Sequence, residues 1–362
     1  VKAIEGEGLR LRPWEPSDVD FLVAAMDDPE IRRFLPHMPD PYTEDSARWW
    51  IEEGSVAAWE SGGAAFAVTN DSTGEMLGGA GLGSVLSRRL QGEVGYWVAP
   101  WARRRGVATR VTRVVARWAF EGGLHRLELL TARENPASQR VALAAGFARE
   151  GVRRMAGALP DGLWQDLVVF ARLSDDPEGP VKRVLPDFPG GCLTDGVVRL
   201  RPLGPADGKD FRELNELPEV ARNFIGDMSK LEQRCATAES AWLAGEMANC
   251  IIEDAETGAF AGDISLNYRE AFTGQAMLGY GLRPEFRGRG FATRAVKLIS
   301  DWAFEAVGVS RLVAGTFPEN KASQRVLERA GFEREAVFKS ALPLRDGTRT
   351  DNVQFVRHRA AV

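Results

Sequence analysis

The chain has 362 residues, 44% hydrophobic and 27% charged, a balance that excludes wholesale disorder and collagen-like repeats and leaves room for two domains or one large one. A net charge of −5 gives no global basic field to draw the chain onto nucleic acid or an acidic membrane, and no stretch approaches the roughly 18 apolar residues that span a bilayer. Three cysteines (Cys192, Cys235, Cys250) and three scattered histidines (His37, His125, His358) make neither a disulfide framework nor metal-ligand spacing; with a charged first dozen residues that lack a secretion-signal core, the expectation is a cytoplasmic protein with no metal and no nucleic-acid or membrane partner.

In chain order, Leu9 to Arg12 alternates apolar and charged residues and predicts a strand. Ser17-x-x-Asp20 precedes an apolar run through Met26, a helix start of the capping-box kind. Residues 42–60, with Tyr42, Trp49, Trp50, Ile51 and Trp59, predict a second helical stretch. Ala65–Thr69, Met76–Gly83 and Gln91–Val98 read as three strands separated by turn residues such as Asn70-Asp71 and Gly74. Val107, Val111, Val114, Val115 and Trp118 have helical spacing, ending near Gly122-Gly123. Leu127–Thr131 predicts a buried strand, Pro136–Ala145 a short helix stopped by Gly146, and Phe147–Arg153 and Leu167–Ala171 the closing strands.

The second half repeats the first. Gly95-Tyr96 returns as Gly279-Tyr280, Arg103-x-x-Gly106-x-Ala108-Thr109-Arg110 as Arg287-x-x-Gly290-x-Ala292-Thr293-Arg294, and Trp118-Ala119-Phe120-Glu121 as Trp302-Ala303-Phe304-Glu305, all at an offset of 184. At an offset of 185, Asn135-x-Ala-Ser138-Gln139-Arg140-Val141 matches Asn320-x-Ala-Ser323-Gln324-Arg325-Val326, Gly146-Phe147 matches Gly331-Phe332, Asp161-Gly162 matches Asp346-Gly347, and Asp166 matches Asp351. Near the start, Arg10-Leu-Arg-Pro13 matches Arg199-Leu-Arg-Pro202. The period is far beyond the roughly 20–50 residues of a solenoid unit, so a whole domain is duplicated. Residues 174–195, rich in Pro and Gly, read as an extended linker, which predicts domains at 1–173 and 196–362.

Each copy joins a strand to an amphipathic helix through an Arg-x-x-Gly-x-Ala loop. Small residues let backbone approach a diphosphate, and free N–H groups of the first turn, with the helix dipole, favour an anion there. Three cations at Arg103, Arg104 and Arg105 oppose that dipole, which makes sense beside an anionic ligand. The pattern is neither the Gly-x-Gly-x-x-Gly dinucleotide fingerprint nor a nucleotide P-loop.

On these residues, with the Asn-x-x-Ser and Gly-Phe blocks and the Asp-Gly to Asp stretch, both halves resemble the GCN5-related N-acetyltransferase (GNAT) family, specifically its RimJ/RimL-like branch. The resemblance implies an α+β fold of two tandem GNAT domains, each a mostly antiparallel, splayed sheet flanked by helices. It implies acetyl-CoA as the acetyl donor, lying between the splayed strands. The expected donor contacts are Trp97, Val98, Arg103, Arg104, Arg105, Gly106, Val107, Ala108, Thr109 and Asn135 in the first copy. In the second they are Leu282, Arg287, Gly288, Arg289, Gly290, Phe291, Ala292, Thr293 and Asn320. Glu93 stands where many members keep a general base, and Ser138 and Ser323 where a proton donor to the leaving thiolate belongs. The second copy has Met277 in place of Glu93; Asp263 and Glu253 are the alternatives nearby. Asp166 and Asp351 read as turn braces rather than substrate contacts. The acceptor is an amine, with a peptide or protein α-amine first, a small amine or antibiotic second, and a non-catalytic acyl-CoA sensor as the rival reading. A monomer is favoured by the internal pairing of copies; a homodimer stays open.

Overall fold

The computed structural model describes residues 2–159, 162–221, 228–344 and 347–359, and the chain divides into two units, Val1–Lys182 and Arg183–Val362. In the first, the hairpin β1 (Ile4–Gly6) and β2 (Leu9–Arg12) is followed by α1 (Val19–Met26), α2 (Pro29–Phe34), α3 (Glu44–Trp49) and α4 (Ser55–Glu60). Then come β3 (Ala64–Asn70), β4 (Met76–Leu86), β5 (Gln91–Val98), α5 (Val107–Glu121), β6 (Arg126–Ala132), α6 (Pro136–Ala144), β7 (Ala148–Ala158) and β8 (Trp164–Leu173). Among the described residues these strands make one sheet in the order β1-β2-β3-β4-β5-β6-β8-β7. Its pairings are antiparallel except β5 with β6, whose parallel register needs the crossover helix α5.

The second unit runs β9 (Leu193–Thr194), β10 (Val198–Pro202), α7 (Gly208–Glu216), α8 (Pro218–Ala221), α9 (Leu231–Leu243), β11 (Met247–Asp254), β12 (Phe260–Asn267) and β13 (Gln275–Leu282). It continues with α10 (Phe291–Trp302), β14 (Arg311–Thr316), α11 (Lys321–Arg329), β15 (Glu333–Pro343) and β16 (Arg349–His358). Its sheet order is the counterpart, β15-β16-β14-β13-β12-β11-β10-β9, with β13–β14 as the parallel pair. Both units are therefore α+β. Asp161 and Asp346 of the repeated Asp-Gly pair lie outside the described residues. No helix among the described residues is long and apolar enough to cross a membrane.

Strand alternation decides which side chains meet which layer. Along β5, Val94, Tyr96 and Val98 point toward α5 and α6, where Val107, Val111, Val114 and Val115 bury the apolar stripe of α5. Glu93, Gly95 and Trp97 point to the other face, where Trp97 stacks on Trp14 and Phe21 at 6.2 and 5.8 Å between ring centroids. That second face is closed by α1 to α4 around Leu22, Met26, Ile31, Ala47 and Ile51.

Some expectations needed revision. The first long helix begins at Val19, not Ser17, because Pro16–Asp18 makes a separate turn. Asp18 closes that turn by accepting the Glu15 N–H at 2.9 Å while holding Arg12 at 2.7 and 2.8 Å. The 42–60 stretch is capped by Thr43, whose hydroxyl accepts the Ser46 N–H, and is interrupted by one wider turn, Trp50–Gly54. Strand β1 and helix α2 were not foreseen.

The 174–195 segment is not an extended linker. Val181 donates its N–H to the Leu143 carbonyl at 2.9 Å in the first unit. Leu185 and Phe188 are buried in the core of the second, where Phe188 meets Trp242 and Trp302 edge-on, each at 4.9 Å. The Trp242 indole N–H donates to the Pro186 carbonyl, and Leu193–Thr194 adds β9 to the sheet. The prolines and glycines forbid regular structure, but the apolar residues between them still drive burial. The division thus falls at Lys182/Arg183.

Candidate functional site

The parallel ladder between β5 and β6 is short: Gln91 pairs with Arg126, Gly92 with Leu127 and Glu93 with Glu128, and there it stops. Residues 94–98 continue along β4 alone, so β5 and β6 part and leave a V. The second unit repeats this, with pairing from Gln275–Arg311 to Leu278–Ala314 and none beyond. The Ala99 N–H goes to the Leu77 carbonyl on the β4 side. Backbone groups alternate along a strand, so Trp97 also turns its N–H and C=O to β4, while Tyr96 and Val98 present theirs to the V. The Arg283 N–H to the Ala261 carbonyl fixes the same phase in the second copy, where Tyr280 and Leu282 face the opening. Of the two expected backbone contacts in the first copy, Val98 faces the V and Trp97 does not.

At the mouth of each V a helix starts without a side-chain cap. Gly106 and Gly290 are the N-caps, with φ of 71° and 83°, a left-handed geometry that costs other residues about 1–2 kcal/mol. A Cβ on either would meet nothing within 4 Å, so the space in front of the helix is open. The first intrahelical N–H bonds are Arg110 to Gly106 and Arg294 to Gly290. The N–H groups of Val107, Ala108 and Thr109, and of Phe291, Ala292 and Thr293, therefore stay free of the helix ladder and converge on one place. The side chains of Val107, Phe291 and Ala292 are buried, leaving only their backbone to serve a ligand.

The arginines of these loops are mostly engaged by carboxylates. Arg103 pairs with Asp28 and with Glu30 at 3.0 Å, Arg105 with Glu75 through two bonds of 2.8 and 2.9 Å, and Arg287 with Glu219 at 3.2 Å and the Leu282 carbonyl. Arg289 lies near Asp254 and over the rings of Phe286 and Phe291. Arg104 is exposed at a φ of 59°, and Gly288 follows with 73°. The cations thus brace the loop against α2, α8 and the β3–β4 and β11–β12 turns, a role their spacing did not show.

Glu93 sits at the apex of the first V, in register with Glu128. Glu128 is buried and held by Arg126 at 2.9 Å and Arg153 at 2.7 Å. Burial alone would raise the Glu128 carboxyl, but these two hydrogen bonds prevail and keep it below the usual range. Glu93 is shifted the other way: burial pushes it up, the Ser84 hydroxyl works against that, and the Glu128 charge adds to the rise. Two neighbouring carboxyls whose proton affinities are pushed apart are an arrangement suited to acid–base roles. In the second unit the same register holds Met277 beside Val313, with no ionisable group between them.

Ser138 and Ser323 do not bond their own helices. The Tyr96 hydroxyl meets Ser138 Oγ at 2.9 Å, and the Tyr280 hydroxyl meets Ser323 Oγ at 2.8 Å. Burial pushes the Tyr96 hydroxyl up and takes that of Tyr280 to about 12, so both remain proton donors. Each pair links β5 to α6, or β13 to α11, across the V. Sequence reading passed over both tyrosines, although Gly-Tyr recurs at one offset in the two copies. Asn135 and Asn320 are helix N-caps, their side-chain oxygens accepting the Ser138 and Ser323 N–H at 3.1 Å; the structure shows this capping role for both.

Other candidates fall into place. Glu253 is buried between Arg199 and Arg201, at 2.7 Å from each, and is committed to that pairing. Asp166 and Asp351 accept the N–H of Met155 and Ser340, two non-glycine residues at positive φ, and brace strand irregularities. Trp59 packs edge-on with Phe66 and Trp118, away from the V, and Trp49 is exposed. Among the described residues no group of three His, Cys, Asp or Glu side chains is placed to hold a metal.

A family model for the acetyltransferase (GNAT) domain matches residues 8–148 and again 198–333. A Bacillus subtilis protein named as the probable N-acetyltransferase YjcK is 44% identical over 62 residues, 17% of this chain and 34% of its own length. The Escherichia coli ribosomal-protein-serine acetyltransferase is 28% identical over 102 residues, 28% of this chain and 56% of its own. The alignments therefore span about a third and just over half of these relatives. Among solved structures, Mycobacterium smegmatis RimJ in complex with CoA-disulfide is 25% identical with a TM-score of 0.41, covering 46% of this chain and 86% of that one.

Proposed function

Through both halves the chain belongs to the GNAT acetyltransferase family, and from that premise we propose that it moves an acetyl group from acetyl-CoA to the α-amine of a peptide or protein. The observation that carries the reading is the duplicated V with an uncapped, glycine-started helix at its mouth. The free N–H groups of 107–109 and of 291–293 suit a diphosphate, and the outward N–H and C=O groups of Tyr96 and Val98, or Tyr280 and Leu282, suit an amide-bearing arm laid along the strand. The open space before Gly106 and Gly290 fits backbone-close binding. Arg104 and Gly288 lie in the loops that lead into these helices, and Asn135 and Asn320 complete the set of proposed donor contacts.

In the first unit Glu93 takes the proton of the acceptor ammonium, directly or through water. The amine attacks the thioester carbonyl, the C–S bond breaks, and the Tyr96–Ser138 pair returns a proton to sulfur. No covalent enzyme intermediate is needed, in keeping with the scarcity of Cys and His. A peptide acceptor is supported by the name of the Escherichia coli relative and by the aromatic wall of Trp14, Phe21, Trp97 and Trp101 on the face that Glu93 shares.

The test is an acetyl-CoA titration that counts equivalents per chain, paired with mass-spectrometric detection of acetylated peptides and small amines. Gly106→Trp should remove most turnover. If it leaves activity intact while Gly290→Trp abolishes it, assignment of the main site to the first unit is wrong. Donor binding without transfer to any amine would replace the enzyme reading by a sensor.

A further inference from the structure

The two copies differ most where they face the acceptor. At the apex, Glu93, Glu128 and Arg153 of the first unit correspond to Met277, Val313 and Phe338 of the second, so a charged cluster has become an apolar one. One strand away the exchange runs in reverse. Gly79 of β4 is the register partner of Trp97, and a Cβ on Gly79 would lie 2.6 Å from the Trp97 indole nitrogen. The corresponding pair in the second unit is Asp263 with Gly281, and there a Cβ on Gly281 would lie 3.2 Å from Asp263 Oδ1. A carboxylate thus lies over a position with no side chain, where the first unit places an indole.

That position lies on the helix-covered face of the splayed part of β13, where a Cβ on Gly281 would also meet Val220 at 3.5 Å and Leu214 at 4.0 Å. Gly281 belongs to the part of β13 beyond Leu278, where β14 no longer pairs. Asp263 shares a face with Met277 and Gly281, the one covered by α7 to α9, because Ile264 and Leu266 take the opposite face into the core. Among the described residues its carboxyl accepts its own backbone N–H. The Arg234 charge lowers the Asp263 carboxyl against the larger effect of burial, while the neighbouring cations bond other partners. Arg234 of α9 is bound to Asn249 Oδ1 at 2.7 Å, and Arg283 is held by Asp210 and Glu213 of α7. Cys235 of α9 and Cys250 of β11 are buried thiols raised by burial.

We propose that Asp263 is the general base of a transfer site in the C-terminal unit, the duplication having moved that group from the strand of Glu93 to its neighbour. The inference rests on the acetyltransferase reading above. In the step, the acceptor R–NH3+ gives one proton to the Asp263 carboxylate. The freed lone pair forms the C–N bond, the C–S bond breaks with its electron pair going to sulfur, and the second proton passes from nitrogen to the thiolate through Tyr280 and Ser323. Asp263 then releases its proton to water, and the products are R–NH–acetyl, CoA thiol and one H+.

The experiment uses the full chain carrying Glu93→Gln and Gly106→Trp to silence the first site, with and without Asp263→Asn. Free thiol release is followed with short peptides bearing a free Ser or Ala α-amine and with primary alkylamines. The silenced chain should still transfer, and its kcat/KM should fall below pH about 6, where burial places the Asp263 carboxyl. Asp263→Asn should lower kcat by about 100-fold or more and remove that acidic limb. The acetyl-CoA Kd of the second site should hold, and the melting temperature at pH 7 should hold or rise, because the neutral amide replaces a carboxylate raised by burial; both separate lost chemistry from lost fold. A kcat within threefold of the silenced parent overturns the proposal, as does a silenced chain that transfers to no amine while the unmodified chain transfers. If the unmodified chain transfers to nothing, the acetyltransferase reading fails first and takes this inference with it.

Discussion

Glu93→Gln should change activity and stability in opposite directions. The side chain keeps its volume and can still accept from the Ser84 hydroxyl that opposes the rise of Glu93, but it can no longer take a proton. Loss of a positioned general base costs about 10²–10⁴ in rate, equivalent to about 2.7–5.5 kcal/mol at the transition state, and should appear in kcat measured by thiol release. The stability effect follows from linkage. The folded-state carboxyl is raised above its unfolded value by burial and the adjacent Glu128 charge, so Glu93 favours the fold when protonated. That contribution is lost as pH rises through its folded value. At neutral pH the native state therefore carries an unfavourable ionised group, and the neutral amide should raise the melting temperature. Well below the ordinary glutamate value of about 4.3, where Glu93 is protonated in both states, the difference should vanish. An active-site carboxylate held against its preference is the usual form of a stability–activity trade-off. A variant with kcat within threefold of the parent would refute the base assignment. A lower melting temperature at pH 7 would refute the electrostatic reasoning even if activity fell.

Removing the like charge beside it, Glu128→Gln, should let Glu93 ionise more easily and move the acidic limb of kcat/KM to lower pH; an upward or absent shift in the pH–rate profile counts against their coupling. Tyr96→Phe removes one hydrogen bond, worth about 0.5–1.5 kcal/mol, from Ser138; thermal unfolding should register that loss, and kcat should drop if the pair returns the proton to sulfur. Asp207 anchors Arg201 and the Gly204 N–H. Burial raises its carboxyl but those bonds outweigh it and hold it below the usual range. Asp207→Asn should cost about 1.5–3 kcal/mol at pH 7, a difference that denaturant titrations should find shrinking as pH falls through the folded value of Asp207.

Much of this architecture was readable because it is local or repeated. Helical spacing of Val107, Val111, Val114 and Val115 marks α5, and the recurrence of Gly106 as Gly290 marks the two helix starts. What escaped is what sequence distance hides. Tyr96 and Ser138 are 42 residues apart, and Tyr96 points away from the face that carries Glu93, so reading along the strand from Glu93 skipped it. The carboxylates that occupy Arg103 and Arg105 come from Asp28, 75 residues away, and Glu75, 30 away, which is why the cations looked free for a ligand. The Pro/Gly-rich stretch misled differently: its composition reports missing ladder donors and turn geometry, whereas burial depends on Leu185 and Phe188.

The pattern of what the copies keep and exchange is itself informative. Arg12–Asp18 returns as Arg201–Asp207, Arg103–Glu30 as Arg287–Glu219, and Tyr96–Ser138 as Tyr280–Ser323. Gln139 bonds the Ala132 and Arg133 carbonyls as Gln324 bonds those of Phe317 and Pro318. These features build the V, its mouth and the entry of α6 and α11. The exchanged residues lie on the opposite face and change in touching sets. Trp14, Phe21, Trp97 and Trp101 give way to Leu203, Asp210, Gly281 and Glu285, and the apex triad to Met277, Val313 and Phe338. Such sets resist piecemeal change. Losing Glu128 alone would take from Arg153 its partner beside Glu93, although Arg126 would keep Glu150, and an indole at 281 would collide with a side chain at 263, because that space admits one occupant. The duplicated fold therefore holds one face constant while the other changes as a set, from stacked aromatic rings in the first unit to a carboxylate beside a glycine in the second.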